Sequence, residues 1–164
     1  MKKLANVSLM LLFASVSILG QEKMLVLEEG IKSHKGIDSI YSDFTKSYQT
    51  LDSTLASGLY TENAIYAAPG RDFVRGRPEI KQVFESFFKQ VKDSGRTMDI
   101  RFRVLKRNVE KRSGFDVGIY EIRQFEGGSE VGRSQGKFGV ALKRDRDGKW
   151  RFDVDIYNDV PALK

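Results

Sequence analysis

The chain has 164 residues, 28 of them Lys or Arg and 22 Asp or Glu, for a formal net charge of +6, with one histidine, no cysteine and 40% hydrophobic residues. That inventory excludes disulfide frameworks, thiolate nucleophiles, thiolate metal centres and multi-histidine metal sites. Carboxylates and tyrosines remain as proton handlers in a chain of one-domain length, so no metal is expected and any reaction would be cofactor-independent.

In chain order, Lys2 and Lys3 precede an uncharged run over 4–19, ended by Gly20 and Gln21. A basic start, an apolar middle and a small residue before a polar one is the pattern of a secretory signal peptide over 1–20. The run is 16 residues long and contains Asn6 and three serines, short of the roughly 20 apolar residues of a membrane span. The expectation is therefore export to the periplasm or beyond, with no integral membrane segment after cleavage. Without Lys2 and Lys3 the balance is 26 basic against 22 acidic residues, a net +4.

Residues 21–36 read as a flexible or helical lead, broken by Gly30 and Gly36, in which His34 beside Lys35 reads as a solvated surface residue. Apolar residues at 37, 40, 41, 44, 48, 51 and 55 recur in steps of three and four, which predicts a helix over 38–49. Asp52 before Ser53, Thr54 and Leu55 predicts an N-cap and a short helix ending at Gly58. A strand over 63–67 and a turn at Pro69-Gly70 follow. Pro78 suits the first position of a helix whose stripe is Ile80, Val83, Phe84, Phe87, Phe88 and Val91, closed by Ser94-Gly95.

After Gly95 the period changes from 3.6 to two. Met98 to Val104, Phe115 to Ile119, Phe138 to Leu142 and Trp150 to Ile156 alternate, with Gly114, Gly127-Gly128 and Asp147-Gly148 between the runs. This predicts a four-stranded antiparallel meander and an α+β class, with two to three N-terminal helices packed on a curved sheet.

The order of elements, Asp52, the stretch Tyr60 to Tyr66, Pro69-Gly70, Gly76-Arg77-Pro78-Glu79-Ile80, residues 137–144, Asp147-Gly148-Lys149-Trp150 and Asp155-Ile156-Tyr157-Asn158 with Pro161 resemble the SnoaL-like branch of the nuclear transport factor 2-like superfamily. Its group called domain of unknown function 4440 is the most similar, over residues 37–161. The resemblance implies a cone, in which helices close a curved sheet around an apolar cavity, and a homodimer built on the sheet's outer face. Such folds host isomerases, dehydratases and pure interaction modules, so the fold does not settle the function. Ketosteroid isomerase-like members place a tyrosine and two aspartates in the cone. The matching positions here are Phe44, Ala68 and Val140, none of which handles a proton.

The last hairpin decides where its aspartates point. A two-residue loop at Asp147-Gly148 puts Asp153, Asp155 and Tyr157 on the face of Phe138, Val140 and Leu142. A three-residue loop from Arg146 to Gly148 reverses the parity and puts Phe152, Val154 and Ile156 there instead. The uniformly apolar wall of the second register is the one the pattern favours. In the first, Asp155 with Tyr157 would be the candidate acid–base pair, because an apolar cone raises a carboxyl pKa.

The candidate ligand-binding residues are Tyr48, Tyr66, Tyr120, Arg123 and Asn158. Tyr120, Glu121 and Arg123 fall where the run from Phe115 slips its alternation, as at a bulge. Tyrosines suit a pocket for a small apolar or amphipathic molecule, although each also suits an ordinary core. The clusters Lys106-Arg107, Lys111-Arg112 and Lys143-Arg144 alternate with acids and lack interleaved aromatics, so no nucleic-acid partner is expected. Two functions fit these readings: an exported binding module for a small molecule, with or without acid–base chemistry, and a non-catalytic dimeric interaction module of the cell envelope.

Overall fold

The computed structural model describes residues 23–160. The expected signal segment over 1–20 and Pro161 lie outside the described residues. The elements are β1 (Leu25–Leu27), α1 (Lys35–Thr50), α2 (Ser53–Gly58), β2 (Tyr60–Ala67), β3 (Val74–Arg75), α3 (Arg77–Asp93), β4 (Thr97–Val109), β5 (Ser113–Glu126), β6 (Ser129–Arg144) and β7 (Trp150–Val160). Among the described residues they form one seven-stranded sheet in the order β1-β4-β5-β6-β7-β2-β3.

The meander expected after Gly95 is β4 to β7, all antiparallel neighbours. Three further strands widen the sheet. β1 lies parallel to β4, which corrects the reading of the lead as flexible or helical: Leu25–Leu27 is strand. β2 lies parallel to β7 and carries the two-residue β3 on its outer edge. The β5–β6 turn is Gly127-Gly128, with φ of +56° and +84° between paired Glu126 and Ser129, the left-handed pair that matches a twisted hairpin. Gly114 lies within β5 rather than in a turn.

Local capping explains where the helices start. His34 is half-buried at the N-cap of α1: its Nδ1 accepts from the Ile37 N–H at 3.2 Å, and the Asp38 carboxylate accepts from the His34 N–H at 2.9 Å. Two orphan donors are thus satisfied reciprocally. His34 also packs edge-on against Trp150, at 5.2 Å between ring centres. The reading of His34 as a solvated residue is corrected, since the helix needed a cap and its ring nitrogen supplies one. Asp52 caps α2 through the Leu55 N–H at 2.9 Å, as expected. α3 opens one residue before Pro78.

The helices bury their apolar stripes on the sheet's inner face. The Phe44 ring lies between 5.3 and 6.4 Å from the rings of Tyr48, Tyr60, Phe84, Phe102 and Phe152. Beyond area burial, such tilted and edge-on pairs contribute on the order of 0.5–1.5 kcal/mol each. A charged clamp ties α1 to the sheet. Arg107 of β4 donates to both oxygens of Asp116 on β5 at 2.8 Å and also pairs with Asp38, while the Tyr41 hydroxyl donates to Asp116 at 2.8 Å. Asp116 is fully buried, and its guanidinium partner is held above the usual arginine range by those carboxylates, against the opposing effect of burial.

β5 corrects a second expectation. Asp116, Gly118, Tyr120, Ile122 and Gln124 face the helices without interruption, whereas Phe115, Val117 and Ile119 lie on the outer face. The strand keeps its phase; its apolar residues change sides along its length. The irregularities lie in its neighbours: in β4 between Val104 and Lys106, and in β6 opposite Gln124 and Phe125.

Candidate functional site

The site is built on β7, whose register combines both expected alternatives. Near the turn, Asp145 pairs with Lys149, leaving three loop residues with Gly148 at φ +80°, and Phe152 sits opposite Leu142. The register then shifts by one residue between Leu142 and Ala141. Beyond the shift Val140 faces Asp155 and Phe138 faces Tyr157. The extra residue is Asp153, whose carboxylate accepts from the Thr61 hydroxyl of β2 at 2.7 Å. A β-bulge therefore reverses the alternation midway. Phe152, Asp155 and Tyr157 face inward, while Ile156 is 52% exposed on the outer face. The expected inward placement of Val154 and Ile156 is overturned by this single bulge, and Asp153 does not line the cone.

Between the helices and the sheet's inner face lies a cavity of about 950 Å³. Phe44, Phe84, Phe102, Phe138, Val140 and Phe152 are among the groups that form its apolar wall, and Gln82, Ser86, Gln90, Gln124 and Ser134 add polar side chains to the lining. The three positions matched to ketosteroid isomerase-like proton handlers, Phe44, Ala68 and Val140, all lie on this wall.

Three alternate residues of β7 present polar groups to the cavity, each joined to a tyrosine of another strand. Asp155 Oδ2 accepts from the Tyr60 hydroxyl at 2.6 Å, the Tyr66 and Tyr157 hydroxyls lie 3.0 Å apart, and Asp159 Oδ1 accepts from the Tyr120 hydroxyl at 2.7 Å. The second oxygen of Asp155, Oδ1, takes no hydrogen bond from any described residue, and neither does the Tyr48 hydroxyl on the opposite wall. Both residues are more than nine-tenths buried.

Burial dominates the electrostatics. It pushes the Asp155 carboxyl up to about 6, partly opposed by the Tyr60 hydrogen bond, which favours the charged form. Burial likewise raises the Tyr48, Tyr60, Tyr66, Tyr120 and Tyr157 hydroxyls, with neighbouring Asp155 adding to the effect on each, so these phenols stay neutral below pH 10. Asp155 can thus take up or release a proton near neutrality, through an oxygen open to the cavity.

Of the expected ligand-binding residues, Tyr48, Tyr66 and Tyr120 line the cavity together with Asp155 and Tyr157. Arg123 and Asn158 do not. Arg123 is on the opposite face, where it donates to both oxygens of Asp99 at 3.1 and 2.7 Å, and Asn158 is exposed beside Ile156. In both cases the strand alternation turns the side chain outward. Glu121 shares that outward phase. Tyr60 and Asp159 are site residues that the sequence reading passed over. Asp159 follows Asp155 and Tyr157 at period two, a signal present once the bulge is known. Among the described residues no group of three or more His, Asp or Glu side chains could hold a metal, and no helix is long and apolar enough to cross a membrane.

No family model matches the chain, and no curated protein is similar in sequence. Solved structures are similar in fold. A ketosteroid isomerase-like protein from Erwinia carotovora atroseptica superposes with a TM-score of 0.62 at 15% identity, over 77% of this chain and 95% of that one. An NTF2-like protein with a cystatin-like fold from Novosphingobium aromaticivorans gives 0.66 at 14% identity, over 79% and 82%. A putative calcium/calmodulin dependent protein kinase II association domain from Xanthomonas campestris gives 0.65 at 14% identity, over 82% and 93%. With helices closing a curved sheet over a cavity, and with these neighbours, the chain has the nuclear transport factor 2-like fold of ketosteroid isomerase-like proteins.

Proposed function

We propose that this protein is an exported binding module that holds a small amphipathic molecule in its cone. The observation that carries the reading is a cavity of about 950 Å³, rich in aromatic side chains, that contains one buried carboxylate with an open oxygen. A wall without polar contacts would suit a purely structural core; a carboxylate oxygen that opens onto an apolar cavity gives a ligand a polar anchor. Any proton transfer would fall on Asp155, because Phe44, Ala68 and Val140 supply no ionisable group. Native mass spectrometry of the purified protein tests the reading. A co-purifying organic mass of a few hundred daltons, lost on denaturation, is the expected result, and a clean empty spectrum that stays empty on addition of amphiphiles overturns it. Export is checked separately by N-terminal sequencing of the protein recovered outside the cytoplasm, with a new N-terminus near Gln21 as the expected outcome.

A second reading, dimerisation through the outer sheet face, is favoured by a specific feature. Phe115 and Val117 of β5 and Ile156 of β7 are 37%, 44% and 52% exposed, and Gly139 of the intervening β6 leaves open space above the sheet. Contiguous exposed apolar groups mark interaction surfaces. A dimer that Ile156→Lys dissociates supports this reading, and a monomer at tens of micromolar refutes it.

A further inference from the structure

Resting on the binding reading above, the chemistry of the cavity lining narrows the class of molecule. We infer that the cone selects a cationic amphiphile, a protonated amine or quaternary ammonium on a largely apolar body, with its charge seated at Asp155 Oδ1.

The first observation is the sign of the charge. The whole chain is formally +6, yet the charged residues lining the cavity are Glu79, Asp155 and Asp159 against Arg71 alone. Arg71 is an exposed residue of the loop after Pro69. A basic protein with an acidic pocket attracts cations into that pocket and repels anions from it.

The second observation is the state of hydrogen bonding. The Tyr60 and Tyr120 hydroxyls already donate to Asp155 and Asp159, and Tyr66 is paired with Tyr157. What is left open deep in the cavity is an acceptor, Asp155 Oδ1, and the Tyr48 hydroxyl. An apolar ligand without a donor would strip the remaining water from Oδ1 and give nothing in return, which costs more than its own burial gains at that point. A ligand carboxylate would face two like charges on one strand. An ammonium group instead pairs with Oδ1, in the geometry where a buried charge is tolerated.

The third observation is the aromatic surround. Phe44, Tyr48, Phe84 and Phe152 line the same cavity as Asp155, and aromatic faces attract a desolvated cation through their quadrupoles. They accept an apolar body equally well, so the cone offers one pocket for both halves of such a molecule.

The ionisable groups around Asp155 are Tyr41 and Tyr48 from α1, Tyr60 and Tyr66 from β2, Tyr120 from β5 and Tyr157 from β7 itself; α3 contributes Phe84 to the wall and Glu79 to the lining. Burial keeps every one of those phenols neutral through the physiological range. Of this set, Asp155 is the group that changes charge near pH 6.

Three dansyl probes of similar length provide the test: dansylcadaverine, a cation; its N-acetyl derivative, neutral; and dansyl-6-aminohexanoic acid, an anion. Fluorescence titration at pH 7.5 is expected to show the cation bound at least tenfold more tightly than the neutral probe, with the anion weakest. Asp155→Asn is expected to bring the cation to within threefold of the neutral probe. In the wild-type protein the cation's affinity should also rise with pH from 5 to 7.5, a readout that stands even if the variant fails to fold. A neutral probe bound as tightly as the cation, or a cation preference indifferent to both pH and Asp155→Asn, overturns the inference and leaves the binding reading standing. Binding of none of the three overturns both.

Discussion

Replacing Asp155 by asparagine keeps the shape of the side chain and an oxygen for the Tyr60 hydroxyl, and removes only the ability to ionise. In the folded protein the carboxyl holds its proton up to about pH 6, against an ordinary value of 3.8, chiefly because it is buried. A group whose folded pKa is raised stabilises the fold fully below its unfolded pKa, and that contribution disappears as pH rises through the folded value. The interval from 3.8 to about 6 corresponds to about 3 kcal/mol at 1.36 kcal/mol per pH unit. The wild-type protein should therefore lose up to about 3 kcal/mol, relative to Asp155→Asn, between pH 4 and pH 7, with the change centred on the window from 4 to 6. Carboxylates held low by arginines, such as Asp147 beside Arg151, have the opposite slope and are common to both proteins, so the difference isolates Asp155. Urea unfolding of both proteins at pH 4, 5, 6, 7 and 8 measures it. Two stability curves that stay parallel within about 0.5 kcal/mol would refute the claim that burial governs this carboxyl.

Other perturbations follow from the same geometry. Arg107→Met leaves fully buried Asp116 facing only the Tyr41 hydroxyl and should cost about 3–5 kcal/mol of unfolding free energy, whereas Arg107→Met with Asp116→Leu should recover much of it. His34→Ala removes the ring acceptor at the start of α1 and should cost about 1 kcal/mol, with the cavity untouched, as read by thermal unfolding beside an unchanged probe titration. Thr61→Val withdraws the hydroxyl that holds Asp153 at the β7 bulge. A loss of about 1 kcal/mol is expected, together with weaker binding in the cone, because the bulge sets the phase of Asp155; unchanged binding would separate the bulge from the site.

Several parts of the molecule were legible because their causes are local. The stripe at 37, 40, 41, 44 and 48 needs only the pitch of a helix to become α1, and Asp52 needs only the next three residues to cap α2. Gly127-Gly128 demands a tight hairpin whatever surrounds it. The wall positions Phe44, Ala68 and Val140 were implied by the resemblance to ketosteroid isomerase-like members, and tyrosines 48, 66 and 120 are cavity candidates by residue type and by their places on the first helix and the strands. Leu25–Leu27, by contrast, is strand because β4 offers an edge beside it, and three residues carry no periodicity from which that could be read. His34 caps a helix that begins at Lys35, ahead of the first residue of its apolar stripe, so the stripe does not reveal the cap.

Strand faces marked the limit. Alternation with period two has two phases, and composition does not choose between them when apolar residues occupy both faces, as Phe115, Val117 and Ile119 outside and Tyr120 and Ile122 inside do along β5. On β7 the choice changes midway, because Asp153 is accommodated as a bulge by Thr61, a residue 92 positions away in the chain. By itself the sequence determined the helices, the Gly127-Gly128 turn, the α+β class and a chemistry restricted to carboxylates and tyrosines. The tertiary structure decided which of those groups meet: a bulge tied to Thr61 by a non-local hydrogen bond turns Asp155 into the cone, and burial there raises its pKa toward neutrality.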